Sequence, residues 1–268
     1  VSMLGKLLKK DLKSTYRLFI PLLCGYGVAS VLGKILFEIV LSQEQFADNS
    51  GFFNGITIFT FLYMGLFIIY LVACYLMTSV FVIYDFYKTM VSDHGYLTHT
   101  LPVKTSSLIW SKTLISAFWH IVMNLIVGLS VLLLFTGHLR QIPVMHILEN
   151  FLDSMDLMFK NYTFYTGLNA FINLFNGPLL YFACIAVGQL WKNHRILGAI
   201  LTYIGVHVFT QILSTVVLVI SGTGNIYFNS SDFFYTGYMI YATMFSILST
   251  VVCFLITNYI LSRKLNLE

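Results

Sequence analysis

From Ile56 to Tyr84 the chain carries no Asp, Glu, Lys or Arg. A helix crosses the hydrocarbon core of a bilayer in about 20 predominantly apolar residues, and this run is longer. Uncharged runs also cover 164–190, 196–221 and 237–262. Two further apolar segments complete the set: 18–41, interrupted by Lys34 and Glu38, and 108–135, interrupted by Lys112. Backbone in lipid must satisfy its own hydrogen bonds, so only helices or a closed barrel can span. A barrel would show alternation in segments of about ten residues, which is absent here. The expected fold class is an all-α membrane protein with six transmembrane helices in one domain. Only 10% of residues are charged, whereas a soluble domain carries about a quarter.

Sidedness follows from the Lys and Arg residues that flank the spans. Of the 15 Lys and Arg residues, all but Lys34, Arg140 and Lys160 collect on one side. That side is expected to be cytoplasmic, with both termini inside, and Trp110 and Trp191 fall at its helix ends as an interfacial aromatic belt would place them. Basic residues spread over helix ends do not make a nucleic-acid-binding face, so that partner class is excluded. Met3 reads as the natural start, and the basic amphipathic N-terminal segment shows no cleavage site for a signal peptide.

Two amphipathic segments accompany the spans. Leu4, Leu7, Leu8 and Leu12 share one face of 3–16 while Lys6, Lys9, Lys10 and Lys13 surround the other, the pattern of a helix lying in the membrane interface. A second such helix is expected on the extracytoplasmic side at 144–160, with Ile147, Phe151 and Met155 opposite Glu149, Asp153 and Asp156.

Catalytic signatures are missing. The chain has no P-loop and no H-E-x-x-H pair, and no G-x-S-x-G elbow. Seven scattered histidines show no metal-ligand spacing. His120 and His207 lie within spans and read as interhelical hydrogen-bonding residues. Asp85 reads as a lone carboxylate at a helix end, which gives no aspartyl dyad. Cys24, Cys74, Cys184 and Cys253 all lie in apolar runs and read as small buried hydrophobes rather than a disulfide framework.

Polar groups within spans are costly and tend to face protein or water. Lys34 and Glu38, four residues apart, read as a local ion pair or as part of a translocation wall. Asn169, Asn173 and Asn176 share one face of the fourth span just before Gly177-Pro178. They read as hydrogen-bonding residues between helices or as lining of a path.

The polar stretch from Phe86 to Lys112 raises a more specific expectation. It contains Phe86-Tyr87-Lys88, Asp93-His94-Gly95-Tyr96-Leu97, Thr100-Leu101-Pro102-Val103 and Ser111-Lys112. This series resembles the segment between the second and third spans of small bacterial type-two ABC transporter permeases, with His94 where that family more often has Glu. The opening from Met3 to Leu22 and the six-span plan extend the likeness over nearly the whole chain. Among such permeases, exporters of amphipathic peptide toxins of the phenol-soluble modulin type are similar in size and apolar character.

The resemblance implies a permease subunit in the bacterial plasma membrane that is not itself an enzyme and holds no cofactor. ATP and Mg would be held by a separate ATPase subunit. A second permease copy or close homologue, membrane lipid and a peptide substrate are the other implied partners. The loop 85–107 would be the coupling element, a short cytoplasmic helix with Lys88, Asp93, His94, Gly95, Tyr96, Leu97, Leu101 and Pro102 meeting the ATPase. Pro102 disfavours helix at Leu101, and Thr105, Ser106 or Ser107 is expected to cap the third span. The alternative is a self-contained membrane sensor or intramembrane enzyme that needs no ATPase.

Overall fold

The computed structural model describes residues 3–44, 51–92, 95, 103–135, 163–191, 194–228 and 231–263. Six α-helices make up nearly all of these, and no strand occurs among the described residues. They are α1 (Met3–Glu44), α2 (Gly51–Phe86), α3 (Thr105–Phe135), α4 (Thr163–Gly188), α5 (Arg195–Phe228) and α6 (Ser231–Arg263). Each contains a segment long and apolar enough to cross a membrane. The chain is a multi-pass membrane protein.

The helices run further than the apolar runs that announce them. The first passes without a break through both 3–16 and 18–41, because no helix breaker separates the amphipathic and apolar stretches. Pro21 lies inside it, where a proline cannot bond back to the preceding turn. At its far end α2 does not stop at Tyr84 but widens into a π-helical turn, Tyr87–Val91. The Ser92 N–H closes that turn on the Tyr87 carbonyl at 3.0 Å. The third helix begins at Thr105, with the Lys104 carbonyl accepting the N–H groups of Ser107 and Leu108. Lys104 therefore occupies the capping position expected of a hydroxyl residue, and Thr105 is already in the first turn. The candidate helix at 144–160 lies outside the described residues.

The chain divides into two compact units. The first comprises Val1–Asp11, Val82–Ala117 and Asp153–Glu268. Within it α4 packs against both α5 and α6, and α5 also contacts α6. Leu179, Phe182, Cys184 and Ala186 of α4 are buried, and Phe182 stacks on Phe86 with ring centroids 3.9 Å apart. The α4–α5 connection is tight. A Cβ on Gly188 would come within 2.6 Å of the Ala199 nitrogen and 2.7 Å of the Arg195 carbonyl oxygen, so only glycine fits.

The second unit comprises Leu12–Phe81 and Phe118–Leu152. Its centre is Tyr26, Cys74 and Met123, with Leu22, Leu23, Tyr70, Leu71, Ile126 and Val127 around them. Polar atoms in this apolar setting are paired. Tyr26 and Ser130 share a 2.6 Å hydrogen bond, and the Trp119 indole N–H donates to Thr15 Oγ1 at 2.9 Å. Trp119 also stacks on Phe19 at 4.3 Å. The cysteines are all free; Cys74 and Cys184 are buried, Cys253 is half-buried, and Cys24 is exposed. Cys24 thus departs from the expected burial.

Candidate functional site: one lysine between two aspartates

Lys112 lies in the second turn of α3 between Ser111 and Thr113, and all three side chains are buried. Its Nζ donates to Asp85 Oδ2 at 2.7 Å and approaches Asp11 Oδ1 at 3.0 Å. The second oxygen of Asp11 accepts the Ser111 hydroxyl at 2.7 Å. The three charged side chains are only 7, 11 and 13% exposed. One ammonium thus joins the start of α1, the end of α2 and the start of α3, all within the first unit. Removing charges from water costs several kcal/mol per ion, so the cluster persists only because each charge meets an opposite one at hydrogen-bonding distance.

Local structure at the end of α2 aims Asp85. The neighbouring Phe86 is fully buried against Phe182 of α4, which fixes the rotation of the last α-helical turn. Thr89 donates its hydroxyl to the Asp85 carbonyl at 2.6 Å, just inside the π-helical turn. Such turns insert one residue per turn relative to the α-helix and are frequent at functional sites. The widened turn buries Met90 and Val91. Asp85 is therefore not a lone carboxylate, as its sequence surroundings imply, but half of an acid pair bridged by Lys112.

Of the residues expected to couple, the described ones are Lys88 and Gly95. Lys88 is exposed, with its ammonium 5.6 Å from the Tyr84 ring centroid in a cation–π contact. Gly95 is buried, and its N–H donates to the Ser92 carbonyl at 2.6 Å. Asp93, His94, Tyr96, Leu97, Leu101 and Pro102 lie outside the described residues, as does the short helix expected there.

A second polar constellation joins α4 to α6. Asn169 Oδ1 accepts both the Asn173 amide and the Ser246 hydroxyl, the latter at 2.9 Å. Asn176 Oδ1 accepts the Ser249 hydroxyl at 3.1 Å. Asn173 itself is exposed and bonds only along its own helix. The asparagine face thus makes interhelical bonds at its two ends and leaves its middle open. Lys34 is half-buried in α1; the Glu38 side chain lies outside the described residues. His120 is buried edge-on to Tyr75, while His207 is exposed beside Tyr203 of its own helix.

Sequence reasoning passed over Asp11 and gave Ser111 and Lys112 no role beyond the motif that carries the resemblance. Asp11 nevertheless carries a signal: it is the one acid among the five basic residues of 3–17. It also falls three and four residues after Leu8 and Leu7, on the apolar face of that helix. A carboxylate there is costly to bury unless a cation pairs it. Among the described residues no three His, Cys, Asp or Glu side chains come together to hold a metal ion. No family model, curated protein or solved structure matches this chain.

Proposed function

We propose that this protein is the membrane-spanning permease subunit of an ATP-driven exporter. On this reading the basic helix ends face the cytoplasm of a bacterial cell, and both termini lie there. A separate ATPase subunit, which binds ATP and Mg, docks on the loop between α2 and α3. Two copies, or one copy and a close homologue, enclose the path. The substrate class is the amphipathic peptide, whose apolar face suits a wall with few polar groups.

The observation that carries the reading is the position of Lys112 at the base of that loop. The helix that enters the loop supplies Asp85, the helix that leaves it supplies Lys112, and α1 supplies Asp11. A force applied to the loop would act on three helices together rather than on one. A mere connector needs no such tie, whereas a coupling element does. The resemblance of Phe86–Lys112 to permease coupling loops is the second support.

Purification from the native membrane tests the proposal. The chain should bring down an ATPase whose activity rises with amphipathic peptides. Leu101→Asp should release that ATPase or uncouple hydrolysis from export, since an unpaired charge in a desolvated contact costs several kcal/mol. Absence of an ATPase, together with unchanged behaviour of Leu101→Asp, would favour a self-contained sensor or membrane enzyme instead.

A further inference from the structure

The basic residues at the start of α1 stand on one side of it. Lys6, Lys10, Lys13 and Arg17 follow one another at spacings of four, three and four, with Lys9 on the flank, and all five are exposed. Such spacing puts them on one helix face. The helix is continuous from Met3 to Glu44 and passes through Pro21, so the same face can be followed into the apolar span. Ile20, Cys24, Val28, Val31 and Ile35 continue it at spacings of three and four, and they too are exposed. One face of one helix therefore changes from cationic to apolar between Arg17 and Ile20.

The cationic part is short of counter-charge. Asp11 is the one acid before Glu38. It is buried, and its carboxylate is taken up by Lys112 and Ser111. None of the five cations is ion-paired among the described residues, and the Arg17 Nε–H donates to the neutral hydroxyl of Tyr16 at 3.5 Å. Lys13 has three like charges at spacings of three or four: Lys9, Lys10 and Arg17. Like pairs at those spacings destabilise a helix about as much as opposite pairs stabilise it. The buried cluster thus draws the segment's own anion away from this face, and an outside anion would relieve the repulsion.

We infer that this face of α1 binds anionic phospholipid, with headgroups on the cations and acyl chains along Ile20, Cys24 and Val28. A ligand that suits a face turning from cationic to apolar within one helical turn is anionic at one end and apolar at the other. An acidic soluble protein matches the first part alone. Lys and Arg lay their stems along apolar surface and carry the charge out to the headgroups. Each such cation near an anionic bilayer surface raises affinity by a factor of roughly five. A helix that enters a bilayer is all this requires, so it holds with or without an ATPase partner.

Fluorescence quenching by brominated lipids tests it on the full chain in bilayers. Cys24 is exposed on this face while Cys74 and Cys184 are buried, so Cys253→Ala leaves Cys24 as the thiol a fluorophore reaches. In mixtures of phosphatidylcholine and phosphatidylglycerol, brominated phosphatidylglycerol should quench this probe with at least a roughly three-fold preference over brominated phosphatidylcholine. The preference should vanish when Lys10, Lys13 and Arg17 are all replaced by Gln, and fall as salt is raised, because exposed charges are screened. Lys13→Arg should keep it. A probe at Leu248→Cys, exposed on α6, in a chain also carrying Cys24→Ala and Cys253→Ala, should show none. Thermal unfolding supplies a second readout. Lys13→Gln should raise the unfolding temperature in phosphatidylcholine, where it relieves three repulsions, and lower it in phosphatidylglycerol, where it removes a headgroup contact. Equal quenching of the Cys24 probe by both lipids, an equal preference at Leu248→Cys, a preference indifferent to salt, or a Lys13→Gln shift of one sign in both lipids overturns the inference. So does loss of quenching by either lipid on adding polyglutamate, which would mark the face as a site for acidic polypeptide.

Discussion

Lys112 Nζ and Asp85 Oδ2 lie 2.7 Å apart across 27 residues of sequence, and the same nitrogen reaches Asp11 at 3.0 Å. The two carboxylates thus lie within about 6 Å of one another by geometry, close enough for mutual repulsion to matter without the lysine between them.

Removing the lysine should therefore cost more than removing either acid. Lys112→Met leaves two buried carboxylates facing each other and is expected to destabilise by about 3–5 kcal/mol. Asp11→Asn and Asp85→Asn each leave a one-to-one ion pair, at about 1–3 kcal/mol. Thermal unfolding of the purified variants in one detergent would rank them. Equal losses for all three would mean that the charges are not acting as one cluster.

The α4–α5 turn predicts a hierarchy among glycines. Gly188→Ala drives a methyl into backbone atoms of Ala199 and Arg195, which cannot move without opening the turn. Overpacking of this kind costs about 1–3 kcal/mol, occasionally more. Gly198→Ala meets the Trp191 side chain at 3.0 Å and should cost less, since a ring can shift. Gly177→Ala has open space and should be close to neutral. The same unfolding assay orders them.

Interhelical bonds at the asparagine face should be measurable one at a time. Asn169→Leu loses two bonds, one of them to Ser246 of α6, and should cost more than Ser249→Ala, which loses one. Membrane double-mutant cycles put such bonds near 0.6 kcal/mol on average. Asn173→Leu should be mild in stability. Under the proposed function it should instead change peptide-stimulated hydrolysis more than basal hydrolysis, and an unchanged ratio would leave Asn173 without a part in the path.

In the second unit, Trp119→Phe keeps an aromatic ring over Phe19 but loses the donor to Thr15. A loss of about 1–3 kcal/mol is expected from the hydroxyl left behind and the missing ring volume. Thr15→Val in that background should add little, because the two residues share one bond. Additive losses would argue that the bond contributes nothing.

The six spans were legible from the sequence because the bilayer is an unforgiving solvent. Any apolar run longer than its thickness must become a helix, whatever its neighbours do. Spacing also put Asn169 and Asn176 on one face but left open whether they bond between helices or line a path; their bonds to Ser246 and Ser249 come from the tertiary structure. Helix ends were less so: α1 continues through the expected break, α2 passes into a π-helical turn, and α5 and α6 extend beyond their apolar runs. Outside hydrocarbon, hydrophobicity no longer marks where a helix stops.

What the sequence alone determined, then, is the number of the spans and which side chains share a helix face, because both follow from local periodicity and transfer free energy. Only the tertiary structure decided which polar groups meet. Asp11 and Ser111 are 100 residues apart, and nothing local distinguishes Asp85 from a solvated helix-end acid. Their pairing depends on how three helices rotate and dock. That rotation is set by packing such as Phe86 on Phe182, between elements that periodicity treats separately.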